Sequence, residues 1–437
     1  MTTTKNNEHK KLNFSSEREQ SQACLNSAEH EKNQGRKVLN VPNSTDKGNV
    51  IRNVPHLRFP EFEGRWDKCK LGDLCNVLMC KRILASQTNT EEGIPFYKIG
   101  TIGNAPDAYI SKELFDDYKT KYNYPHKGEV MITCAGTVGK CVVYDGKDAY
   151  YQDSNIVWID NPSQCISNSF LYHLLAKVDW RKLNSTTIIR IYNDDLRNLK
   201  LSYPQIEEQQ KISRLLSFLD ERIVTQNKII EDLKKLKCAI IEKHFRQAKL
   251  HKYKICDLGV PFSVGSLSKE DLSEEGHECI LYGELFTTYD CVINEVKSHT
   301  NQIANTTLSQ KGDLLFPSST TVDAVSLISP SVIDMPNVIL GGDMFGIHID
   351  KKFNAYYLSY YINLIARKKL AIYAKGSTII HLHYKDIAKA QLLLPDLCEQ
   401  DTIAKCMMAE DAKIKVEEQL LTKLEKQKQY LLRQMFI

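Results

Sequence analysis

The stretch 204–245, PQIEEQQKISRLLSFLDERIVTQNKIIEDLKKLKCAIIEKHF, holds no glycine and no proline after its first residue. Ile212, Leu215, Leu216, Leu219, Ile223, Ile230, Leu233 and Ile240 recur at spacings of three and four, the period of one helical face or of a coiled-coil seam. At about 1.5 Å per residue such a helix is roughly 60 Å long. No small domain is that wide, so the helix is expected to bridge two. The stretch then occurs again at 395–436, PDLCEQDTIAKCMMAEDAKIKVEEQLLTKLEKQKQYLLRQMF, displaced by 191 positions. At that offset Glu208 meets Glu399, Gln209 meets Gln400, Ile212 meets Ile403, Asp220 meets Asp411, Ile223 meets Ile414, Leu233 meets Leu424 and Lys237 meets Lys428. Two gap-free helices with one seam mark an internal duplication.

The duplication reaches upstream. STTIIRIYNDDLRNLKLSYP precedes the first helix and GSTIIHLHYKDIAKAQLLLP the second, while Lys70-Leu-Gly-Asp-Leu74 matches Lys254-Ile-Cys-Asp-Leu258 at an offset of 184. Lys127-Gly-Glu-Val130 matches Lys311-Gly-Asp-Leu314 at the same offset, but the middles of the copies hardly match. A constant frame around divergent interiors suits two reading heads of different specificity. The expected fold is α+β: mixed domains at 54–203 and 251–394, long spacer helices at 204–250 and 395–437, and a disordered polar tail at 1–53. Strands are expected at 95–99, 129–133, 140–144 and 156–159, then at 280–282, 313–316, 325–328 and 345–349. Helices are expected at 169–177 and 355–365.

If the two seams pair, the second helix must run back along the first. That gives an antiparallel coiled coil with an approximate two-fold axis. Leu219, Ile223, Ile230, Leu233 and Ile240 would form one side of the seam, and Ile414, Leu421, Leu424 and Leu431 the other. Gln226 and Glu417 occupy equivalent seam positions, as do Lys237 and Lys428. Such polar interruptions either fix register at some cost in stability or face solvent where the helices splay.

Several function classes find little support. A net charge of +4 permits nucleic-acid binding without requiring it. No apolar run approaches the roughly 18 residues of a membrane span, and the polar N-terminus lacks a signal-peptide core, so a cytoplasmic chain is expected. The 13 cysteines are scattered singly and read as reduced, mostly buried residues. Cys69, Cys75 and Cys80 cluster, with the wrong gaps for a zinc knuckle. Asn161-Pro162-Ser163 departs from the Asn/Asp-Pro-Pro-aromatic motif of an N6-adenine methyltransferase. Thr137-Val-Gly-Lys140 ends like a phosphate loop, but Cys134 and Cys141 stand where glycine and a hydroxyl belong, so it reads as a tight turn between strands. Asp290, Glu295 and Lys297 have a nuclease-like spacing that arises easily by chance. His381 and His383 lack partners at metal-ligand spacing. No metal site and no catalytic constellation are expected.

LRFPEFEGRWDKCKLGDL near the start, HKGEVMITCAGTVGKCVVY at 126–144, the STTIIRIYNDDLRNLKLSYP segment and EEQQKISRLLSFLDERI, followed by a second round of the same order, carry a family resemblance. Over residues 54–437 the chain resembles the specificity subunit of a type I restriction–modification enzyme. The resemblance implies two target-recognition domains reading the halves of a split duplex DNA site. It implies helices that space them and dock two methyltransferase subunits, joined by restriction subunits. S-adenosylmethionine, ATP and magnesium would belong to those partners, and this chain would hold no cofactor. The second copy departs from the pattern: Ser319-Thr-Thr-Val-Asp-Ala324 replaces Ala135-Gly-Thr-Val-Gly-Lys140. A methylation-only system, a stand-alone DNA-modifying enzyme and a coiled-coil scaffold are the rival readings.

Base edges are read by side chains held on loops, while phosphate contacts set position. In the first copy Lys98, Lys140, Ser185, Thr186, Arg190 and Asn193 are the candidate DNA contacts. In the second they are Thr320, Ser377, Thr378, His381 and Lys385. The segments 185–193 and 377–385 recur in both copies with different side chains, Arg190 against His381, as specificity loops should.

Overall fold

In the computed structural model, which describes residues 54–183 and 190–437, each half of the chain starts from the same two-stranded ribbon. Asp67–Lys70 pairs antiparallel with Lys200–Tyr203, Asp67 opposite Tyr203. His251–Lys254 pairs with Gln391–Leu394, His251 opposite Leu394. These registers are identical at the offsets relating the two copies. The turn that follows is closed alike, with Asp73 accepting from the Lys70 N–H at 2.8 Å and Asp257 from the Lys254 N–H at 2.7 Å. The expected disordered tail, 1–53, lies outside the described residues.

The same sheet then recurs. In the first half β1 (Asn76–Leu78), β2 (Val130–Thr133), β3 (Cys141–Val143) and β4 (Ile156–Asp160) lie in the order β1-β4-β2-β3, antiparallel throughout. In the second, β5 (Gly259–Ser263), β6 (Val292–Ile293), β7 (Asp313–Pro317), β9 (Ser331–Ile333) and β10 (Met344–Ile349) lie in the order β5-β10-β7-β9-β6, with only β6 joined in parallel. A separate ribbon pairs β8 (Ser319–Thr320) with β11 (Ile380–His381). The central strands β2 and β7 are buried along their whole length, which explains their unalternated apolar text. Beyond this sheet the halves part. The first adds three short strands around Ile94–Tyr97, and the second a five-stranded sheet around His277–Leu281 and Ile339–Gly341. Both are mixed α/β domains.

Most expected strands appear within a few residues of their places, but 325–328 is a helix, Ala324–Leu327. Asp323 caps it, accepting from the Ser326 N–H at 2.8 Å, and this local bond outweighs the strand preference of a lone valine. Leu327 and Ile328 are fully buried; their apolarity signalled burial rather than a strand. The helix expected at 355–365 is regular only over Ala355–Tyr361. It widens into a π turn at Ile362–Ala366 and resumes at Arg367–Leu370.

The helices that matter for the frame are α1 (Asn168–Lys177), α2 (Ile206–Gln247), α3 (Ala355–Tyr361) and α4 (Leu397–Met435). Among the described residues no helix is long and apolar enough to cross a membrane. α2 and α4 lie side by side and run in opposite directions. Ile212 and Leu216 near the start of α2 share a core with Leu432, Met435 and Phe436 at the end of the chain. Ile241 near the end of α2 shares the other core with Ile403, Ala404 and Met407. Midway, Ile230, Leu233 and Ile414 cluster with Leu421 against them. Leu219 and Leu424 are buried and Ile223 half-buried. Ile240 and Leu431 are only half-buried, and the neighbours Ile241 and Leu432 take the buried positions. Near its end each helix packs into a domain core together with the start of its partner, and the buried position there lies one residue further on, roughly 100° around the helix.

The polar seam positions find each other. Lys237 pairs with Asp411, and Lys428 with Asp220; each contact is the other displaced by the repeat. Between them Gln226, 6% exposed, donates to the Glu417 carboxylate at 2.5 Å and to its carbonyl at 3.1 Å. These groups hold register within the interface rather than facing solvent.

The joints between domains and helices repeat down to single bonds. Gln209 donates to the Pro204 carbonyl at 2.8 Å and accepts from the Ser167 N–H, just before α1, at 2.8 Å. Gln400 donates to the Pro395 carbonyl at 2.9 Å and accepts from the Asn354 N–H, just before α3, at 3.0 Å. The helix before each joint carries a different residue at one position. Tyr360 on α3 donates its hydroxyl to Asp411 at 2.6 Å, whereas the matching residue on α1 is His173, whose Nδ1 lies 3.9 Å from Asp220. His173 is 1% exposed. Burial pushes its pKa down to about 4, Asp220 pulls the other way, and Lys428 adds to the depression.

Candidate nucleic-acid interface

In each copy one backbone hydrogen bond ties the turn after the central strand to the loop before the long helix. The Ile191 N–H donates to the Cys134 carbonyl at 2.9 Å, and the Leu382 N–H to the Ser318 carbonyl at 2.8 Å. Segments about 60 residues apart in sequence thus form one site per copy, and both segments were singled out from the sequence.

The turn itself differs. In the first copy residues 134–140 make a tight connection between β2 and β3. The Thr133 hydroxyl donates to the Thr137 carbonyl and accepts from the Lys140 N–H at 3.0 Å. Gly139 has φ +82°, and a Cβ there would meet the Trp180 ring at 2.1 Å, so only glycine fits. Asp323 holds the matching position in the second copy and caps a helix instead. Burial pushes the Cys134 and Cys141 thiols beside the turn up to about 12, which leaves no reactive thiolate there.

The expected contacts in the first copy are partly engaged within the chain. Lys140 donates its ammonium to the Ile102 carbonyl at 2.5 Å. Lys98 pairs with Asp107 at 2.9 Å on the surface. Arg190 reaches the Ser154 carbonyl at 3.4 Å and lies 5.9 Å from the centre of the exposed Tyr192 ring. Asn193 opens the short helix Asn193–Arg197. Ser185 and Thr186 lie outside the described residues.

In the second copy the candidates converge. Thr320 lies in β8, directly opposite Ile380 of β11. Lys375 and His381 exchange backbone hydrogen bonds at 2.9 and 2.7 Å, closing a hairpin whose tip exposes Ser377 and Thr378. Gly376, at φ +124°, makes the bend; a Cβ would lie 2.1 Å from the Ile379 carbonyl. Lys375 braces the base through Asp386 at 2.5 Å, and that bond holds the Asp386 carboxyl below its usual range. The His381 and His383 rings stack at 6.1 Å, and Lys385 is exposed on Tyr384–Ile387. Beside the hairpin opens a cleft of about 930 Å³ whose walls include Thr320, Thr321, His381, Tyr282, Asn363 and Arg367. Tyr282 is one of the aromatics that the sequence interleaves with these candidates, whereas Arg367 comes from a distant segment that no local pattern marks. The cysteines also divide: Cys75, Cys80, Cys134 and Cys279 are buried, but Cys165, Cys238, Cys256 and Cys398 are exposed.

Comparison with known proteins agrees with this duplicated geometry. The model of the type I restriction modification DNA specificity domain matches twice, over residues 63–235 and 259–426. A Haemophilus influenzae protein named as a type I restriction enzyme specificity subunit is 49% identical over 164 residues, covering 38% of this chain and 42% of that protein. The match therefore spans less than half of that relative. A Methanocaldococcus jannaschii protein named as the MjaX specificity subunit is 22% identical over 413 residues, 87% of this chain and 95% of its own. The crystal structure of a type I restriction–modification S subunit from M. genitalium superposes with a TM-score of 0.58 at 17% identity, over 88% of this chain and 99% of that one. The two share a fold.

Proposed function

The chain belongs to the type I restriction modification DNA specificity family, and on that premise we propose that it reads a bipartite duplex site for such a system. The two domains, 54–203 and 251–394, each read one half. The helices at 204–250 and 395–437 act as an antiparallel coiled coil with an approximate two-fold axis, and they set the gap. The observation that carries this reading is the reciprocity of Lys237–Asp411 and Lys428–Asp220 about Gln226–Glu417. Equivalent residues meet at the centre of the helix pair, and the rest exchange places around it, as two-fold related heads require. Leu219, Ile223, Ile230, Leu233 and Ile240 with Ile414, Leu421, Leu424 and Leu431 form and flank the seam, whose outer faces dock two methyltransferase subunits.

The subunit performs no chemistry. It presents Lys98, Lys140, Ser185, Thr186, Arg190 and Asn193 to one half-site, and Thr320, Ser377, Thr378, His381 and Lys385 to the other. Heads on one face of the duplex reach major-groove segments about one turn apart, roughly 34 Å, or a multiple of that. The methyltransferase subunits bring S-adenosylmethionine and modify an adenine in each half. Restriction subunits with ATP and magnesium join them to cut unmodified DNA.

The test is a genome-wide map of N6-methyladenine with the gene intact and deleted. A split motif with two unlike halves and a fixed gap should vanish on deletion. A methylome unchanged by deletion, when the methyltransferase is coexpressed, contradicts the proposal.

A further inference from the structure

The ribbon of the second head bears two exposed apolar side chains that packing does not explain. β8 and β11 pair Ser319 with His381 and Thr320 with Ile380. Thr321 and Val322 follow β8, and Ile379 precedes β11, at the same end of the ribbon. Val322 is 74% exposed and Ile379 50% exposed, and both line the cleft together with Thr320, Thr321 and His381. The matching residue of the first copy, Val138, is half-buried against the core of its domain. The second copy has therefore turned this valine outward, at the tip of a ribbon that also carries Ser319, Thr320, Thr321 and His381.

A major groove about 12 Å wide admits a two-stranded ribbon, and the apolar group that base edges present there is the thymine C5-methyl. The ribbon has a positive flank as well. Ala324–Leu327 packs on both ribbon strands and on Arg367–Leu370, where Lys368 and Lys369 are exposed. These cations suit phosphates beside a groove.

We propose that the Ser319–Val322 and Ile379–His381 ribbon enters the major groove of one half-site, where Val322 and Ile379 contact thymine methyl groups while Thr320 and His381 bond to base edges. This rests on the DNA-reading function above and adds to it a base class and two specificity-determining residues.

The experiment uses the full chain assembled with its methyltransferase and the target duplex found by the methylome map. Each thymine of the two halves is replaced in turn by uracil, which removes only the methyl, and affinity is measured for the wild type, Val322→Thr and Ile379→Thr. Both substitutions lie on exposed positions, and an unchanged thermal unfolding midpoint shows that the variants fold. At one or more thymines of a single half, uracil should weaken wild-type binding about fourfold, the worth of one buried methyl-sized group. That loss should disappear in at least one variant. A uracil effect that persists unchanged in both variants overturns the proposal. So does the absence of any uracil effect. In those cases the split motif still stands. Failure of DNA reading itself appears separately, as no motif lost on deletion.

Discussion

Gln209 and Gln400 share two bonds in the two halves, to the proline before the long helix and from the residue before α1 or α3, yet Gly139 and Asp323, at matching places in the reading turns, build a tight turn in one and a capped helix in the other. The first pair lies where domain meets helix, the second where domain is proposed to meet DNA. Duplication has kept the bonds that fix each domain on the frame, and it has released the surface that faces outward. A head that is held rigidly at its base tolerates a rebuilt tip, because the tip contributes little to the core.

The largest test of that contrast is at the joints. Gln209→Leu leaves the Ser167 N–H and the Cys165 and Pro204 carbonyls without the bonds they now make. Urea unfolding should show a loss of about 4 kcal/mol. Gln400→Leu strips two backbone groups and should cost about 3 kcal/mol by the same measurement. Equal, negligible effects would show that the joints do not carry the frame.

The one unlike joint residue gives a pH test. The folded pKa of His173 is depressed to about 4 from the ordinary 6.5. Its neutral form is therefore favoured by folding. That contribution is complete above pH 6.5 and is lost as pH falls toward 4, by up to about 3 kcal/mol. Stability measured over this window should flatten in His173→Gln. Tyr360, which holds the same place in the other half, introduces no titration there.

Smaller effects should separate the two ion pairs. Lys428→Met leaves Asp220 with only the distant His173, at a cost of about 2 kcal/mol. Lys237→Met leaves Asp411 its bond from Tyr360, and about 1 kcal/mol is expected. A double-mutant cycle with Asp220→Asn and Asp411→Asn distinguishes the pairs. Smallest in energy, His381→Ala should relax one base position of one half by about 1 kcal/mol without moving the other half, read as a changed methylation motif.

Much of this frame was legible in the sequence. The helices were, because 42 and 39 residues of uninterrupted period admit no other structure. The seam was legible in its middle but not at its ends, where Ile241 and Leu432 displace Ile240 and Leu431, because the helices there answer to domain cores that periodicity does not reveal. The helix at Ala324–Leu327 reads as a strand because its apolar residues hide the Asp323 cap, which is worth more than the strand preference of Val325. At the candidate interface the segments were found but not all of their engagements. Lys98 and Lys140 reach Asp107 and Ile102, partners that only the folded chain brings near. Arg367 joins the cleft from a segment with no motif of its own.

The most direct test of two independent heads on one ruler lengthens the ruler. Seven residues inserted at matching points in α2 and α4 preserve the seam and add about 10 Å, close to three base pairs at about 3.4 Å each. A methylome map of the resulting strain should show the same two half-sequences separated by a gap about three base pairs longer. An altered half-sequence, or an unchanged gap, would contradict the account.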